Sequence, residues 1–351
     1  MTDRVNRRWL VAKPLEGKPT AENFRWDESP VPSVPDGHFL VRNRWLSLDP
    51  TQVLMLPQGD PPKGPVPIGG VMGGITVSEV VESRHPGFSV GDIVHGEMAW
   101  EDYTVSDGSG FNPAYRVPDG VPLDWATGVL GLTGLVAYFG LHEIGKPRPG
   151  ETFVISGAAG GVGSVASQLA KIAGLRVIGI AGSPTKCDWL VQEAGVDAAI
   201  NYHEEDVAQR LTELCPDGID IFFDNHGGPL LETALDRLRT GGRVILCGVT
   251  AHYLADTRPP GPANLVQLIM VNGRMQGFLG RDFIPRRAEA FDAMLPLLRS
   301  GRLKAKEDVL EGLREAPKGL VRLFSGDNIG KQLLRFEEPP GSGGAEGQGP
   351  A

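Results

Sequence analysis

The residues best equipped to do chemistry lie in Thr152–Gly163, TFVISGAAGGVG. A short apolar strand pattern runs into a glycine-rich turn, and a helix pattern begins inside the turn. Ala158–Gly163 reads A-x-G-x-x-G, the dinucleotide fingerprint with alanine in place of the first glycine. In that arrangement the first small residue makes the tight turn. Gly160 lets the backbone approach a pyrophosphate, and Gly163 lets the helix pack closely on the strand. The helix start then offers free N–H groups and positive potential to the phosphates.

The next strand selects the nucleotide. An NAD site places a carboxylate about 20 residues after the motif, on the ribose 2′-hydroxyl. Arg176–Ser183, RVIGIAGS, has no Asp or Glu, and the first acid downstream is Asp188. Gly182 and Ser183 leave room for a 2′-phosphate, and Lys186 at the following helix start can neutralise it. A solvated helix lysine fits the same spacing; the missing carboxylate tips the choice to NADP(H).

The metal-ligating residue types form no such pattern. The three cysteines, Cys187, Cys215 and Cys247, are widely spaced and form neither a disulfide framework nor a zinc ribbon. His38, His85 and His95 are scattered, and the His142-Glu143 pair falls on a helix pattern as a surface or interface pair. No metal site is expected. Trp100, Tyr103 and Phe111 can line an apolar pocket, with core packing the expected use of at least two of them.

These residues need elements to position them. Residues 1–125 are turn-rich, with strand-like runs at His38–Arg44, Ile75–Val81 and Asp92–His95 separated by Pro and Gly clusters, the pattern of a barrel-like or sandwich-like unit. Beyond residue 125, strands at Phe153–Ser156, Arg176–Ile180, Ala198–Ile200, Ile219–Asp224 and Arg243–Cys247 alternate with helices. The helices span Gly161–Ala173, Thr185–Ala194, Glu204–Leu214 and Leu230–Arg239. Such alternation predicts βαβ units around a parallel sheet. Arg286–Ser300 reads as a helix and Lys331–Phe336 as a last strand. The expected division is 1–125, 126–285 as the nucleotide-binding unit, 286–337 returning to the first unit, and 338–351 as a disordered low-complexity tail.

Composition agrees with this class. Glycine fills 48 of 351 positions, about twice the usual ~7%, and turns and close approaches to a ligand account for that excess. The formal charge of −9 lacks the footprint of a general nucleic-acid binder. No apolar run is long enough to span a bilayer, and the first residues lack a signal-peptide core. A cytoplasmic, reduced protein is expected.

Several motifs together resemble one family. They are Leu46-Ser-Leu-Asp-Pro50, Gly131–Gly140 (GLTGLVAYFG), Gly157–Ser164, Phe223–Gly228 (FDNHGG), Cys247-Gly-Val-Thr250 and Gly326–Lys331 (GDNIGK), in order along the chain. The chain resembles the zinc-free branch of the medium-chain dehydrogenase/reductase superfamily, most of all its prostaglandin reductase, alkenal double-bond reductase and curcumin reductase group. The resemblance implies a GroES-like barrel domain joined to a Rossmann domain, completed by the end of the chain. It also implies NADPH-dependent reduction of the carbon–carbon double bond of α,β-unsaturated ketones and aldehydes.

Carried over onto matching positions, the resemblance implies cofactor contacts at Gly160, Gly161, Val162 and Gly163, at Lys186 and Tyr202 for the 2′-phosphate, and at Asn225 and Asn328. It adds Cys247, Gly248, Val249 and Thr250, then Phe278, Leu279 and Gly280, and sets Thr133 near the nicotinamide. Tyr253 matches a tyrosine beside the nicotinamide ribose and the substrate carbonyl, as proton donor or as a residue that only packs on the cofactor. Thr51–Val53 and His226 depart from the family pattern. The first segment lines the family's substrate pocket; His226 touches the cofactor or, the favoured reading, covers the sheet edge.

Zinc-dependent relatives need a cysteine ligand and a Gly-His-Glu element in the first domain, and neither is present. Without a metal, hydride transfer to the β-carbon of an enone suits the residues better than alcohol oxidation, because only a donor at the carbonyl oxygen is required. The alternatives are a quinone reductase on the same fold and a non-catalytic NADPH-binding protein. A homodimer paired through an apolar strand around Met270–Phe278 completes the expectations.

Overall fold

A computed structural model describes residues 5–254 and 260–337. The expected tail at 338–351 lies outside the described residues. The first part of the chain is β-rich. Strands β1 (Val5–Val11) and β2 (Phe24–Pro30) pair antiparallel. They are followed by β3 (Phe39–Ser47), β4 (Gly73–Ser83), β5 (Ile93–Ala99), β6 (Tyr103–Ser106) and β7 (Tyr115–Arg116). Trp100 and Tyr103 are buried in this unit and Phe111 is half exposed, so the first two serve the core. Helices α1 (Leu123–Thr127) and α2 (Leu132–Phe139) lead out of it.

The nucleotide-binding half follows as β8 (Thr152–Ser156), α3 (Gly161–Ile172), β9 (Arg176–Ala181), α4 (Pro184–Gln192) and β10 (Ala198–Asn201). It continues as α5 (Val207–Leu214), β11 (Ile219–Asp224), α6 (Gly228–Leu235), β12 (Leu238–Leu246), α7 (Val266–Met270) and β13 (Arg274–Gly277). The six strands form a parallel sheet in the order β10-β9-β8-β11-β12-β13. This is the doubly wound Rossmann order, whose direction reverses between β8 and its neighbour β11. The central strands are buried on both faces, with Phe153, Val154, Ile155, Ile221, Phe222 and Phe223 fully enclosed, as helices on both sides require.

The chain then forms α8 (Arg287–Arg299), β14 (Glu307–Glu311), α9 (Ala316–Ser325) and β15 (Lys331–Arg335). Strand β15 pairs antiparallel with β3 and parallel with β14, so the chain end closes the first domain's seven-stranded sheet. Helix α8 instead packs Ala290, Met294 and Leu298 into the core shared with α3 and β8. The architecture is a GroES-like β domain plus a Rossmann domain.

Several boundaries differ from the sequence reading, and three of the differences have a clear local cause. Helix α5 begins at Val207 because the Asp206 carboxylate caps it by accepting the Gln209 N–H at 3.0 Å. Strand β12 begins at Leu238, where the sequence reading continued a helix to Arg239, because its first residue pairs with Ile219 before a register shift. The expected strand at Met270–Phe278 is shorter. Val266–Met270 is helical, and a turn through Asn272 at φ 49° leads into β13.

Candidate functional site

The carboxyl ends of β8, β9, β11 and β12 meet where the strand order reverses, the place where open α/β sheets bind ligands. Asp224, wholly buried at the end of β11, organises this edge. Its carboxylate accepts the Ser156 hydroxyl at 2.8 Å and the N–H groups of His226 and Gly227 at 3.0 Å each. Asn225 donates its backbone N–H to Ser156 Oγ at 2.9 Å and its side-chain amide to the Ser156 carbonyl at 2.8 Å. The β12 exit is held on the same strand, since the Cys247 and Gly248 N–H groups donate to the Asp224 carbonyl at 2.9 and 3.1 Å.

The glycine-rich turn has the features its sequence predicts. Gly157 takes φ 60°, which glycine adopts without strain. A Cβ on Gly163 would overlap the Gly157 carbonyl, so helix and turn approach only because that residue is glycine. The N-cap of α3 is Gly160, and no side chain caps the helix. The first N–H groups, from Gly161, Val162 and Gly163, are therefore left for an anion. Thr133, on α2, is buried with its methyl 3.1 Å from where a Gly161 Cβ would sit, so any side chain there would close this side of the turn.

The carboxyl end of β9 is equally specific. A Cβ on Gly182 would lie 2.7 Å from the Tyr202 hydroxyl. Ser183 caps α4 by accepting the Lys186 N–H at 3.3 Å. The Lys186 ammonium reaches across to the Gly326 carbonyl at 2.8 Å. Burial lowers its pKa, and Asp327 and Asp308 oppose that shift. Such a cation gains from an added anionic partner. Strand β9 carries no carboxylate. This donor set and the uncapped helix start fit a phosphorylated dinucleotide such as NADP(H).

The remaining expected residues surround these two groups. Asn328 is buried and donates to the Gly330 carbonyl at 3.0 Å, while the Gly330 N–H donates to the Ala159 carbonyl at 2.7 Å. The first domain's last segment is thus fastened directly to the glycine-rich turn. Phe278 packs against Phe283 with ring centroids 6.1 Å apart, Leu279 is half exposed, and Gly280 lies against Val136 of α2. Val249 and Thr250 continue from β12, and Thr250 Oγ1 lies 3.1 Å from the His226 ring. The His226 ring also faces the Tyr202 ring, with centroids 6.4 Å and planes 29° apart.

Tyr253 crosses to the first domain and packs on its core with Leu254. Burial raises its phenol pKa, opposed by a hydrogen bond from the Val249 backbone. The Thr51–Val53 segment is a 3-10 turn whose side chains divide. Gln52 and Val53 turn inward, Gln52 Oε1 accepting the Asp49 N–H at 3.1 Å, and Thr51 is exposed. Thr51 is thus the solvent-facing member of the three.

Sequence reasoning passed over one pair. Lys331 is buried, donates to the Leu48 carbonyl at 2.6 Å and to Asp49 at 2.7 Å, and lays its alkyl chain against Gly161. Both residues stand inside recognised motifs, but they are 282 positions apart, and no local pattern signals that they meet.

Among the described residues, no three His, Cys, Asp or Glu side chains cluster as a metal site. Burial pushes the Cys215 thiol up to about 11 and Cys247 up to about 12, so neither is an activated thiolate nucleophile. His95 is buried and held neutral by desolvation, its pKa lowered to about 3.

Comparison with known proteins agrees with this geometry. A family model described as the N-terminal domain of oxidoreductase matches residues 7–114, and one described as zinc-binding dehydrogenase matches 161–300. The NADPH-dependent curcumin reductase of Escherichia coli is 38% identical over 94% of this chain and 96% of that protein. The NADP(+)-dependent 2-alkenal reductase of Nicotiana tabacum is 38% identical over 86% of this chain and 88% of its own. The crystal structure of CurA from Vibrio vulnificus in complex with NADPH superposes with a TM-score of 0.86 at 36% identity, covering 95% of this chain and all of that one (100%).

Proposed function

Because the chain belongs to the zinc-free branch of the medium-chain dehydrogenase/reductase superfamily, in its curcumin and alkenal reductase group, we propose that it is an NADPH-dependent reductase. It reduces the carbon–carbon double bond of α,β-unsaturated ketones and aldehydes. The observation that carries this reading is the cluster at the carboxyl end of β9. Gly182, Ser183, Lys186 and Tyr202 gather at the end of a strand with no carboxylate, around the start of α4, and the neighbouring helix α3 begins with no side-chain cap.

When bound, NADPH supplies the reducing hydride. The chain's own residues do the rest. The N–H groups of Gly161, Val162 and Gly163 bind the pyrophosphate, and Lys186 and Tyr202 hold the 2′-phosphate. Asn225, Asn328 and the Cys247–Thr250 segment fix the remainder of the cofactor, with Thr133 and Phe278–Gly280 around the nicotinamide end. Tyr253, its phenol kept protonated by burial, donates a hydrogen bond to the substrate carbonyl oxygen, where negative charge develops as the double bond is reduced.

The reaction runs without a metal. None of the three cysteines precedes residue 187, so the first domain offers no thiolate ligand, which supports this. A cytoplasmic location accords with the free cysteines, and no helix among the described residues is long and apolar enough to cross a membrane. The protein forms a homodimer through the free edge of β13 and the neighbouring α7, where Val266, Ile269 and Met270 are 56%, 80% and 73% exposed. Ile269→Asp with Met270→Asp should give a monomer by light scattering; an unchanged mass in both proteins would remove that interface. The activity itself is tested by mixing the protein with NADPH and a panel of enones, enals and quinones. Turnover of quinones alone would replace this reading with a quinone reductase.

A further inference from the structure

We propose that the protein carries a second anion site, at the end of the Rossmann sheet opposite the cofactor cleft, for a small phosphate-bearing molecule with at least two negative charges. A cavity of about 750 Å³ opens there among the beginnings of β8, β11, β12 and β13, a volume typical of small-molecule sites. Ligands of such sheets ordinarily bind at the other end, so this cavity is no extension of the dinucleotide site.

Its charge runs against that of the chain. In a protein of net charge −9, the cavity is lined by Lys146, Arg148, Arg239, Arg243 and Arg274. Two carboxylates share the lining, and both are already occupied. Glu151 accepts Arg243 Nη1 at 3.0 Å and the Arg148 N–H at 2.9 Å. Asp220 accepts the Thr152 N–H at 2.8 Å and Arg239 at 3.4 Å. Arg243 Nε is buried with no acceptor. Arg274 donates to the Ile144 carbonyl at 2.9 Å. Among the described residues, no carboxylate pairs with Lys146, Arg148 or Arg274. Unpaired cations converging on one cavity are the arrangement that takes phosphate oxygens, with arginine forks supplying directional donors.

The backbone points to the same place independently. Among the described residues only two non-glycines have positive φ, Lys146 at 48° and Asn272 at 49°, and both line this cavity. Asparagine tolerates that conformation; lysine is strained in it, and glycine would remove the strain. Strained side chains gather at functional sites, where the side chain does something a glycine cannot. Here that is to place an ammonium at the rim. No aromatic residue lines the cavity, so the site recognises charge rather than a nucleobase.

Inorganic pyrophosphate is the probe, titrated calorimetrically into protein saturated with NADPH so that the cofactor's own phosphate site is filled. The expected result is one site per chain, weakened at least tenfold by Lys146→Ala with Arg148→Ala, weakened by added salt, and unchanged by Lys186→Ala. Lys146→Gly should lower pyrophosphate affinity while leaving Tm unchanged or higher. The proposal is overturned if binding is not saturable, if the double substitution leaves it intact, if Lys186→Ala abolishes it, or if Lys146→Gly alters stability alone.

Discussion

Replacing Glu307 with glutamine should stabilise the protein, and increasingly so as pH rises. Glu307 opens β14 beside Gly128, at the junction between the first domain and α3. Its Oε1 is buried without a partner. Burial, reinforced by the charge of Asp124 and a carboxyl–carboxyl hydrogen bond to it, pushes Glu307 up to about 8, with Lys331 pulling the other way. In the unfolded chain a glutamate titrates near ~4.3. Between these values the folded protein keeps a proton that the unfolded chain has released. The native state then binds more protons, so stability falls with rising pH until Glu307 ionises near pH 8.

The full gap between about 8 and ~4.3 sets a ceiling of about 5 kcal/mol. Glutamine keeps a donor toward Asp124 and has nothing to ionise. The stability difference between E307Q and the parent should therefore grow from pH 5.5 to 8.5 by about 3 kcal/mol at most. Residual solvent access reduces this to roughly 1.5–3 kcal/mol. Urea unfolding followed by tryptophan fluorescence across that pH range measures the difference directly. Parallel pH profiles for the two proteins would refute the assignment of a protonated Glu307.

Three further outcomes follow from the site. Lys186→Ala should weaken NADPH at least tenfold and NADH less than twofold in fluorescence titrations; equal losses would mean that Lys186 does not meet the 2′-phosphate. Tyr253→Phe should lower kcat/KM for an enone roughly 100- to 1,000-fold, in line with loss of one donor to a developing oxyanion, with the NADPH Kd retained; unchanged turnover would leave Tyr253 a packing residue. Asp49→Ala removes the counter-ion of a lysine that is only 6% exposed and should cost about 3 kcal/mol in urea unfolding, a loss that Lys331→Met partly restores in the double variant; no loss would show that the pair contributes nothing to holding the phosphate turn.

The Rossmann half was largely legible because its signals are local. Alternating buried strands and amphipathic helices, and a turn that only small residues can make, fall within short windows of sequence. The helix limits that moved did so where a cap, as at Asp206, or a strand pairing, as at Leu238, overrides periodicity. The site was legible in part. Gly163, Gly182 and Lys186 declare themselves by size, charge and spacing. Tyr202 and Tyr253 came only from family likeness, since nothing local shows that Tyr202 overlies Gly182 or that Tyr253 reaches the first domain's core. The Lys331–Asp49 pair and the Asp124–Glu307 contact join distant segments, and the turn at Pro50–Met55 hides Gln52 and Val53 for reasons of packing that spacing does not encode.

The central claim is that an NADPH-specific cleft reduces the carbon–carbon bond of an enone and leaves its carbonyl intact. The most direct measurement is product analysis of a single conjugated enone incubated with the purified protein and NADPH deuterated at the transferred position. The account predicts one saturated ketone per NADPH oxidised, with deuterium on the β-carbon and none on the carbonyl carbon, and a much slower reaction with NADH. An allylic alcohol carrying the label on the carbinol carbon, or NADPH bound with no enone reduced, would contradict it.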